Sequence, residues 1–247
     1  MKVSVAIITH DAAGPLERCL ASLAFADEIV VLDQGSTDDT AAVCARFGAA
    51  LHQSEFVGFG PTKQRAADLC RNRWVLNVDT DEEVSPELAA AVTGLPAEPA
   101  APAYAVNRLS RFLGRWIRHC GWHPEYVVRL FDRERARFDD APVHESVVFA
   151  GTAERLPGLL RHYTYETMEQ YVAKLNQYTT LAAADLHGRG RRGSPLQAVV
   201  RAEATFWRMW LLRRGFLDGW SGVVLCRASS FYVLTKYVKL WRLGRRS

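Results

Sequence analysis

The chain has 247 residues, of which 49% are hydrophobic, and its formal net charge at pH 7 is +4. This is enough for one large α/β domain, or for one domain with an appendage, around a sizeable core. The five cysteines are scattered without CxxC spacing, which argues against a disulfide framework or a zinc site and favours reduced thiols in a cytosolic protein. No run of 18 apolar residues and no signal-peptide pattern occurs, so neither a membrane span nor secretion is expected.

The positive charge is concentrated near the end of the chain. After Gly188, arginine and lysine residues far outnumber the two acids, Glu203 and Asp218. A basic tail of this kind predicts an anionic partner, such as a membrane surface, a lipid phosphate or a nucleic acid.

Strand and helix patterns alternate along the first 95 residues. Strands are predicted at 3–9, 28–32, 49–52 and 74–78, and helices at 15–23, 38–47 and 61–70. Helices between successive strands predict βαβ units and a parallel sheet. In such a sheet functional loops lie at the carboxyl ends of the strands, where Asp11, Asp33 and Asp79 fall.

The pattern changes after 96–102, a linker-like segment with the sequence PAEPAAP. Strands are predicted at 104–109, 126–131 and 144–149, followed by helices at 166–187, 195–214 and 220–242 and a basic hinge at 188–194. We therefore expect an α/β domain over 1–190, with halves 1–95 and 96–190 and a mixed sheet, and a basic amphipathic helical tail over 191–247.

An apolar strand runs into four carboxylates at 79 and 81–83, just before a helix start at Ser85. Clustered carboxylates repel one another and seldom lie at a strand end without a compensating cation. Mg²⁺ and Mn²⁺ prefer carboxylate ligands, so the pattern favours a divalent metal that carries phosphate oxygens. The alternative is a solvated acidic loop that caps the following helix.

Several motifs together resemble the family 2 glycosyltransferases with the GT-A fold. They are VAIIT at 5–9, DEIVVLDQGSTDDT at 27–40 and VDTDE at 78–82. Further motifs, GFGPTK at 58–63, RLF at 129–131 and VHE at 143–145, are similar to the bacterial lipopolysaccharide-core β-glucosyltransferases. The resemblance covers nearly the whole chain and implies a Rossmann-like GT-A sheet with helices on both faces, plus C-terminal amphipathic helices.

The resemblance also implies which residues hold the sugar nucleotide. Thr9, Asp11 and Asp33 would hold the nucleoside, since carboxylates accept hydrogen bonds from ribose hydroxyls and an imide N–H. Lys63 and Arg65, expected to open a helix, would meet the pyrophosphate or the nucleoside. The alternatives are a helix cap for Asp33 and an ordinary exposed helix face for the two cations.

The DxD pair would bind Mn²⁺ or Mg²⁺ through the diphosphate, with Asp81 as the direct ligand. Asp79 is either a second ligand or a contact to the ribose or the donor sugar, and His144 is a candidate third ligand. Glu82 and Glu83 either lie beside the metal ligands or are exposed to solvent. Exposure to solvent is expected more for Glu83 than for Glu82.

Glu145 is the expected general base that takes the proton of the acceptor hydroxyl in an inverting transfer. This role would be favoured by an apolar setting, and Asp139 and Asp140 are the reserve candidates. Arg129 would hold either an acceptor phosphate or a structural carboxylate.

The tail helices carry bulky aromatics beside a basic polar face, which favours a membrane interface. The alternative is packing on the catalytic domain or on a second subunit, and nucleic-acid binding is not expected because no recognition module occurs.

The sequence thus predicts a cytoplasmic enzyme bound peripherally to the inner face of the bacterial inner membrane. It would move a hexose, glucose from UDP-glucose, onto a heptose of the lipopolysaccharide inner core. Transfer to a polyprenyl phosphate or another envelope glycan is the alternative, and a non-catalytic membrane-binding scaffold is a remote one. A nucleotidyltransferase is disfavoured, because the loop after the first strand lacks a glycine-rich, basic sequence.

Overall fold

The computed structural model describes residues 1–141 and 145–245. The strands are β1 (Val3–Thr9), β2 (Glu28–Asp33), β3 (Ala50–Gln53), β4 (Trp74–Asn77), β5 (Glu82–Val84), β6 (Ala103–Phe112), β7 (Arg115–Trp116), β8 (Glu125–Asp132), β9 (Ala136–Phe138), β10 (Val147–Phe149) and β11 (Glu154–Tyr165). The helices are α1 (Ala13–Ala21), α2 (Thr40–Arg46), α3 (Phe59–Asp68), α4 (Pro86–Thr93), α5 (Met168–Gly188), α6 (Pro195–Trp207) and α7 (Gly219–Leu243). The chain divides into two compact units, one comprising 1–108 and 125–162 and the other 109–124 and 163–247.

The described strands of the main sheet run in the order β3-β2-β1-β4-β8-β6-β11-β5, with β7 paired to β6. The first four are parallel, and β8 joins β4 in antiparallel orientation. The parallel register sets Thr9 opposite Asp33, so the carboxyl ends of β1 and β2 meet at one edge. This is the mixed sheet that the sequence predicted.

Two apolar layers cover the two faces of the sheet in the first unit. Val5 and Ile7 of β1 pack in one layer with α1, α2 and α4, whereas Ala6 and Ile8 pack in the other with α3. Successive side chains of a strand point to opposite faces, so the continuous apolar run of β1 is buried on both sides. The expectation of helices on both faces is confirmed.

β5 and β11 pair in antiparallel orientation and were not predicted. Gly158 of β11 has a φ of 92°, and a Cβ there would collide with the backbone of Leu88 in α4. Ser85 ties the same elements together, because its hydroxyl accepts hydrogen bonds from the backbone N–H groups of Leu88 (3.3 Å) and Leu159 (3.1 Å). These contacts fix the position of the acidic segment just before Ser85.

Helix α3 begins at Phe59, two residues before the predicted start. Gly58, with a φ of 110°, forms the N-cap, and Pro61 stands in the first turn, where proline is tolerated. Gly60 donates a backbone hydrogen bond of 3.1 Å to the carbonyl of Ala141. A Cβ at Gly60 would collide with the carbonyl oxygens of Asp139 and Ala141.

The second unit contains α5, α6 and α7, and α7 packs against both of the other helices. Its apolar core includes Phe112, Ile117, Leu175 and Leu225. The helix predicted at 195–214 ends earlier, because a π-helical turn covers Arg208–Leu212 and a 3-10 turn covers Gly215–Asp218. Within the described residues, no helix has the length and apolar content that a membrane span requires.

Candidate functional site

A cluster of acids and cations lies at the carboxyl end of β4. The two oxygens of Asp79 are each paired with a cation, Oδ1 with Lys63 Nζ at 2.7 Å and Oδ2 with Arg129 Nη2 at 2.6 Å. The Lys63 and Arg129 side chains are only 4% and 8% exposed. Burial by itself raises the pKa of the Asp79 carboxyl, but Arg129 and Lys63 outweigh burial and hold that pKa well below its ordinary value.

Arg129 also holds a second acid. Its Nη2 lies 2.6 Å from Glu82 Oε1, and its Nη1 donates to Asn77 Oδ1 at 3.0 Å. Glu82 is fully buried, accepts the backbone N–H of Asp79 at 3.0 Å and has Arg108 Nη1 at 3.6 Å. Burial lowers the pKa of the Arg129 guanidinium, but Asp79 and Glu82 raise it further than burial lowers it. Of the two roles expected for Arg129, the structure therefore shows the contact to structural carboxylates.

Asp81 has a different environment from Asp79. Its Oδ2 lies 3.3 Å from Nε2 of His162 on β11, and the Asp81 side chain is 33% exposed. In the described residues, no group of three or more histidine, cysteine or acidic side chains has an arrangement that would hold a metal ion. A metal at this point would therefore take at most two ligands from these residues and the rest from the substrate and water.

Glu145 lies against Lys63, the residue that also holds Asp79. Lys63 Nζ donates to Glu145 Oε1 at 2.7 Å, and the Glu145 side chain is 17% exposed. The apolar setting that would favour a general base is therefore not what the structure shows at Glu145, since an ammonium is bonded to its carboxylate. The other half of the motif, His144, falls outside the described residues, so its role stays a prediction.

A cleft of about 400 Å³ at the carboxyl end of β1 includes Thr9, one of the three predicted nucleoside residues, in its lining, whereas Asp11 and Asp33 do not line it. It is lined by Ile8, Thr9, His10, Gln34, Phe56, Phe59 and Thr80. Thr9 is 2% exposed, and its hydroxyl is buried without a hydrogen-bond partner among the described residues. Phe56 and Phe59 meet edge to face, with ring centroids 5.1 Å apart, and are 50% and 41% exposed. Two aromatic faces and an unsatisfied hydroxyl suit a flat, polar ligand.

Asp33 and Asp11 are joined through the turn after β2. Asp33 is 2% exposed and accepts hydrogen bonds from the Ser36 N–H at 3.1 Å and from Gln53 Nε2 at 2.8 Å. It therefore caps this turn rather than α2, whose N-cap residue is Asp39. Asp11 accepts the backbone N–H of Thr37 at 2.7 Å, a hydrogen bond that lowers the pKa of its carboxyl.

The expectation that Lys63 and Arg65 open a helix is wrong, because α3 starts at Phe59 and both residues lie beyond its first turn. Lys63 points into the acidic cluster. Arg65 is exposed and donates to Ser54 Oγ at 3.2 Å, so it does not join that cluster. The expected helix-terminus site for an anion is therefore not formed by this pair.

Several residues of the site were not singled out from the sequence. His162, Arg108, Gln53 and the Phe56–Phe59 pair come from separate elements, and no local motif joins them. His162 lies opposite Glu82 in the β5–β11 pair, next to the DxD segment, a position that only the strand pairing reveals. The remaining contacts depend on strand pairing between distant segments.

The comparison with known proteins agrees with this geometry. The family model described as "Glycosyl transferase family 2" matches residues 4–151, which include the parallel strands and the acidic cluster. The chain belongs to glycosyl transferase family 2. Its mixed sheet with helices on both faces is the GT-A fold expected from the resemblance.

Similar curated proteins match this family 2 chain over nearly its full length. An uncharacterized glycosyltransferase of Rickettsia felis is 29% identical, covering 98% of this chain and 89% of the relative. The lipopolysaccharide core biosynthesis glycosyltransferase LpsC of Rhizobium meliloti is 28% identical, covering 98% of this chain and 93% of the relative.

Solved structures resemble a smaller part of this glycosyltransferase. Glucosyl-3-phosphoglycerate synthase of Mycobacterium tuberculosis, crystallised with Mn²⁺, UDP and glucosyl-3-phosphoglycerate, is 23% identical over 44% of each chain, with a TM-score of 0.35. Mannosyl-3-phosphoglycerate synthase of Rubrobacter xylanophilus is 25% identical over 45% of this chain and 40% of its own, with a TM-score of 0.37. This chain therefore spans less than half of either structure.

Proposed function

We propose that this family 2 glycosyltransferase is a metal-dependent, inverting hexosyltransferase. Its donor is a UDP-hexose, UDP-glucose in the first place, and its acceptor is a heptose of the lipopolysaccharide inner core. The family match supports the reaction class, and the full-length similarity to LpsC supports the acceptor class. In this proposal 1–190 is the catalytic domain, with a nucleotide-binding half at 1–95 and an acceptor half at 96–190, and 191–247 is the tail.

The donor's nucleoside lies in the cleft at the end of β1. The buried Thr9 hydroxyl supplies an unused hydrogen-bonding group, and Asp33, opposite Thr9 in the register of β1 and β2, is held in place by Ser36 and Gln53. Phe56 and Phe59 line the cleft and meet edge to face, and an aromatic base packs favourably against such side chains. Asp11 holds the turn beside it, and the exposed Arg65 adds positive charge on α3.

The residues present fit a divalent metal at Asp81. A carboxylate and an imidazole, Asp81 and His162, are donors that Mn²⁺ accepts, and Mg²⁺ is commonly bound by one or two carboxylates together with substrate phosphates. Asp79 has both oxygens engaged by cations, which favours its alternative role as a contact to the ribose or the donor sugar. When bound, Mn²⁺ or Mg²⁺ neutralises charge on the departing nucleoside diphosphate. His144 remains the proposed third ligand.

Glu145 acts as the general base that removes the proton of the attacking acceptor hydroxyl. Lys63 fixes its carboxylate, because one ammonium bonds both Glu145 and Asp79 at 2.7 Å. In this proposal Asp79 contacts the donor sugar and Glu145 the acceptor hydroxyl, and the shared ammonium keeps the two carboxylates close to each other, as a direct displacement requires. This single buried ammonium between the DxD segment and Glu145 is the observation on which the mechanism rests.

A donor screen tests the proposal. Purified protein is given Mn²⁺, a panel of sugar nucleotides and either a heptose-containing core oligosaccharide or a polyprenyl phosphate, and release of nucleoside diphosphate is measured. We expect turnover with UDP-glucose and the heptose acceptor, loss of turnover with EDTA, and restoration by Mn²⁺. Turnover that EDTA leaves unchanged would contradict the role of Asp81 as a metal ligand. Turnover with polyprenyl phosphate but not with the heptose acceptor would show that the proposed acceptor is wrong.

Glu145→Gln separates binding from chemistry. The variant should bind UDP with unchanged affinity and lose transfer by about 10²–10⁴-fold, the usual contribution of general-base catalysis. Glu134→Gln, which changes an exposed acid on the same unit (64% exposed), is the matched control and should retain full activity. Normal transfer by Glu145→Gln would shift the base to Asp139 or Asp140.

A further inference from the structure

The loop between α6 and α7 exposes an unusual concentration of large apolar side chains. This hairpin tip, residues 207–220, includes the π-helical and 3-10 turns. Six of its large apolar side chains are exposed: Trp207 (51%), Leu211 (52%), Leu212 (79%), Phe216 (46%), Leu217 (55%) and Trp220 (84%). Large side chains so exposed on 14 consecutive residues mark an interaction surface rather than a core.

The same tip is positively charged. Arg208, Arg213 and Arg214 are exposed among the apolar residues. The tip contains one acid, Asp218, and its carboxylate is turned into the unit, where it accepts hydrogen bonds from the backbone N–H groups of Arg118 (3.1 Å) and His119 (2.8 Å). The outer surface of the tip therefore combines bulky apolar groups with unopposed positive charge.

The inner side of the tip is closely packed around Gly215 and Gly222, which leaves no space there for the exposed apolar side chains. A Cβ at Gly215 would come within 2.9 Å of the Met209 carbonyl oxygen and of the Cys226 sulfur, and a Cβ at Gly222 would collide with the Gly215 carbonyl oxygen. Gly215 is buried, whereas its neighbours on both sides are exposed. The turn is thus packed on its inner side and presents its apolar groups outward.

We infer that the hairpin tip inserts into the interface of an anionic lipid bilayer. The aromatic and leucine side chains enter the boundary between headgroups and acyl chains, and the three arginines contact lipid phosphates. This assigns membrane contact to the 207–220 turn, not to the length of the tail helices. The inference goes beyond the proposed reaction and does not depend on the identity of donor or acceptor.

Charge favours a bilayer over a second copy of the chain as the occupant of this surface. In a symmetric dimer the same patch is used on both subunits, so one interface would contain the three arginines of each tip, while the single acid of each tip, Asp218, is bonded within its own unit. Like charges brought together across an interface oppose association. Anionic lipids instead provide phosphates for the arginines and an apolar layer for the tryptophans and leucines.

Vesicle flotation tests the inference with the full chain and two kinds of vesicle, pure phosphatidylcholine and a mixture with phosphatidylglycerol. Trp220→Ser with Leu212→Ser should weaken binding to the anionic vesicles by about 30-fold or more, since two large apolar side chains lose their burial. The matched control is Val172→Ser with Leu181→Ser, which removes two exposed apolar side chains of α5 (49% and 54% exposed) and should leave binding unchanged.

The charge component is tested separately with Arg208→Gln and Arg214→Asn. Asparagine suits position 214 because Arg214 has a φ of 52°. The double variant should bind anionic vesicles about 30-fold more weakly, and raised salt should reduce wild-type binding in the same direction. Brominated lipids should quench tryptophan fluorescence in the wild type and less so in Trp220→Ser.

Three results would overturn the inference. The first is that the Trp220→Ser, Leu212→Ser variant floats with anionic vesicles as well as the wild type does. The second is that the α5 control loses as much vesicle binding as that variant. The third is that the wild type is a dimer in solution and only the tip variants are monomers. The urea midpoint, followed by circular dichroism, serves as the check on folding and needs no donor. Tip variants should keep the wild-type midpoint, so that lost membrane binding is measured separately from misfolding and from failed transferase chemistry.

Discussion

Replacement of Arg129 with methionine tests whether the buried acid–cation cluster holds the site together. Arg129 contacts Asp79, Glu82 and Asn77, and its side chain is 8% exposed. Methionine keeps much of the apolar volume and removes the charge. The substitution leaves a fully buried carboxylate at Glu82 beside a partly buried one at Asp79.

Removal of one partner of a buried ion pair destabilises a protein by about 3–5 kcal/mol. Each acid keeps a second partner, since Asp79 retains Lys63 at 2.7 Å and Glu82 retains Arg108 at 3.6 Å together with the Asp79 N–H. We therefore expect a loss near the lower limit, about 3 kcal/mol. For a chain of this length that corresponds to a fall in melting temperature of roughly 6–12 °C.

Urea unfolding at pH 7, followed by circular dichroism, measures this loss. Arg161→Met is the matched control, because Arg161 pairs with Glu83 at 2.8 Å but is 40% exposed, and the expected loss is under about 1 kcal/mol. Adding Glu82→Gln to Arg129→Met should recover part of the stability, because it removes the uncompensated charge. An Arg129→Met variant as stable as Arg161→Met would refute the reasoning.

Three further predictions concern the metal ligand Asp81, the ring of Phe56 in the nucleotide cleft, and the pH dependence of stability at Asp79. Asp81→Asn should lose Mn²⁺-stimulated turnover by at least about 10²-fold while keeping its melting temperature, and activity at the wild-type Mn²⁺ optimum would contradict the assignment. Phe56→Ala should raise KM for the donor about tenfold with a smaller change in kcat, because one aromatic ring that stacks on the base is lost. Equal KM values in the variant and the wild type would show that Phe56 does not contact the nucleotide. Because Arg129 and Lys63 lower the pKa of Asp79, its contribution to stability is present above the unfolded pKa of about 3.9 and is lost as pH falls through the folded value. The urea concentration at the unfolding midpoint should therefore decrease as the pH is lowered below about 4, and the decrease should be less steep in Arg129→Met. Parallel plots of midpoint against pH for the two proteins would argue against this linkage.

The parallel half of the sheet was predictable from local pattern. The apolar run of β1 and the alternation of strands with helices specify βαβ units, and such units leave little freedom in topology. For the same reason Asp11, Asp33 and Asp79 could be assigned to one edge before the fold was known. The register of β1 and β2, which pairs Thr9 with Asp33, confirms that assignment for the first two strands.

The remaining features depend on contacts between distant segments. Glu82 looks like a solvated acid, but it is fully buried because Arg129, 47 positions away, lies against it. β11 contains Pro157 and Gly158, which weaken its strand pattern, and Gly158 is required by the close approach of α4. Lys63 is bonded to Glu145, 82 positions away, and sequence periodicity gives no information on such a pair.

The close approach at Gly60 has a consequence for how this catalytic centre can vary. The helix that carries Lys63 lies directly on the carbonyl groups of 139–141, four residues ahead of Glu145. A methyl group at position 60 would push the two segments apart. The distance between the Lys63 ammonium and the Glu145 carboxylate would then increase, although neither residue is changed. The distance between the Lys63 ammonium and the Glu145 carboxylate therefore depends on a hydrogen atom on the α-carbon of Gly60, a residue that touches neither group.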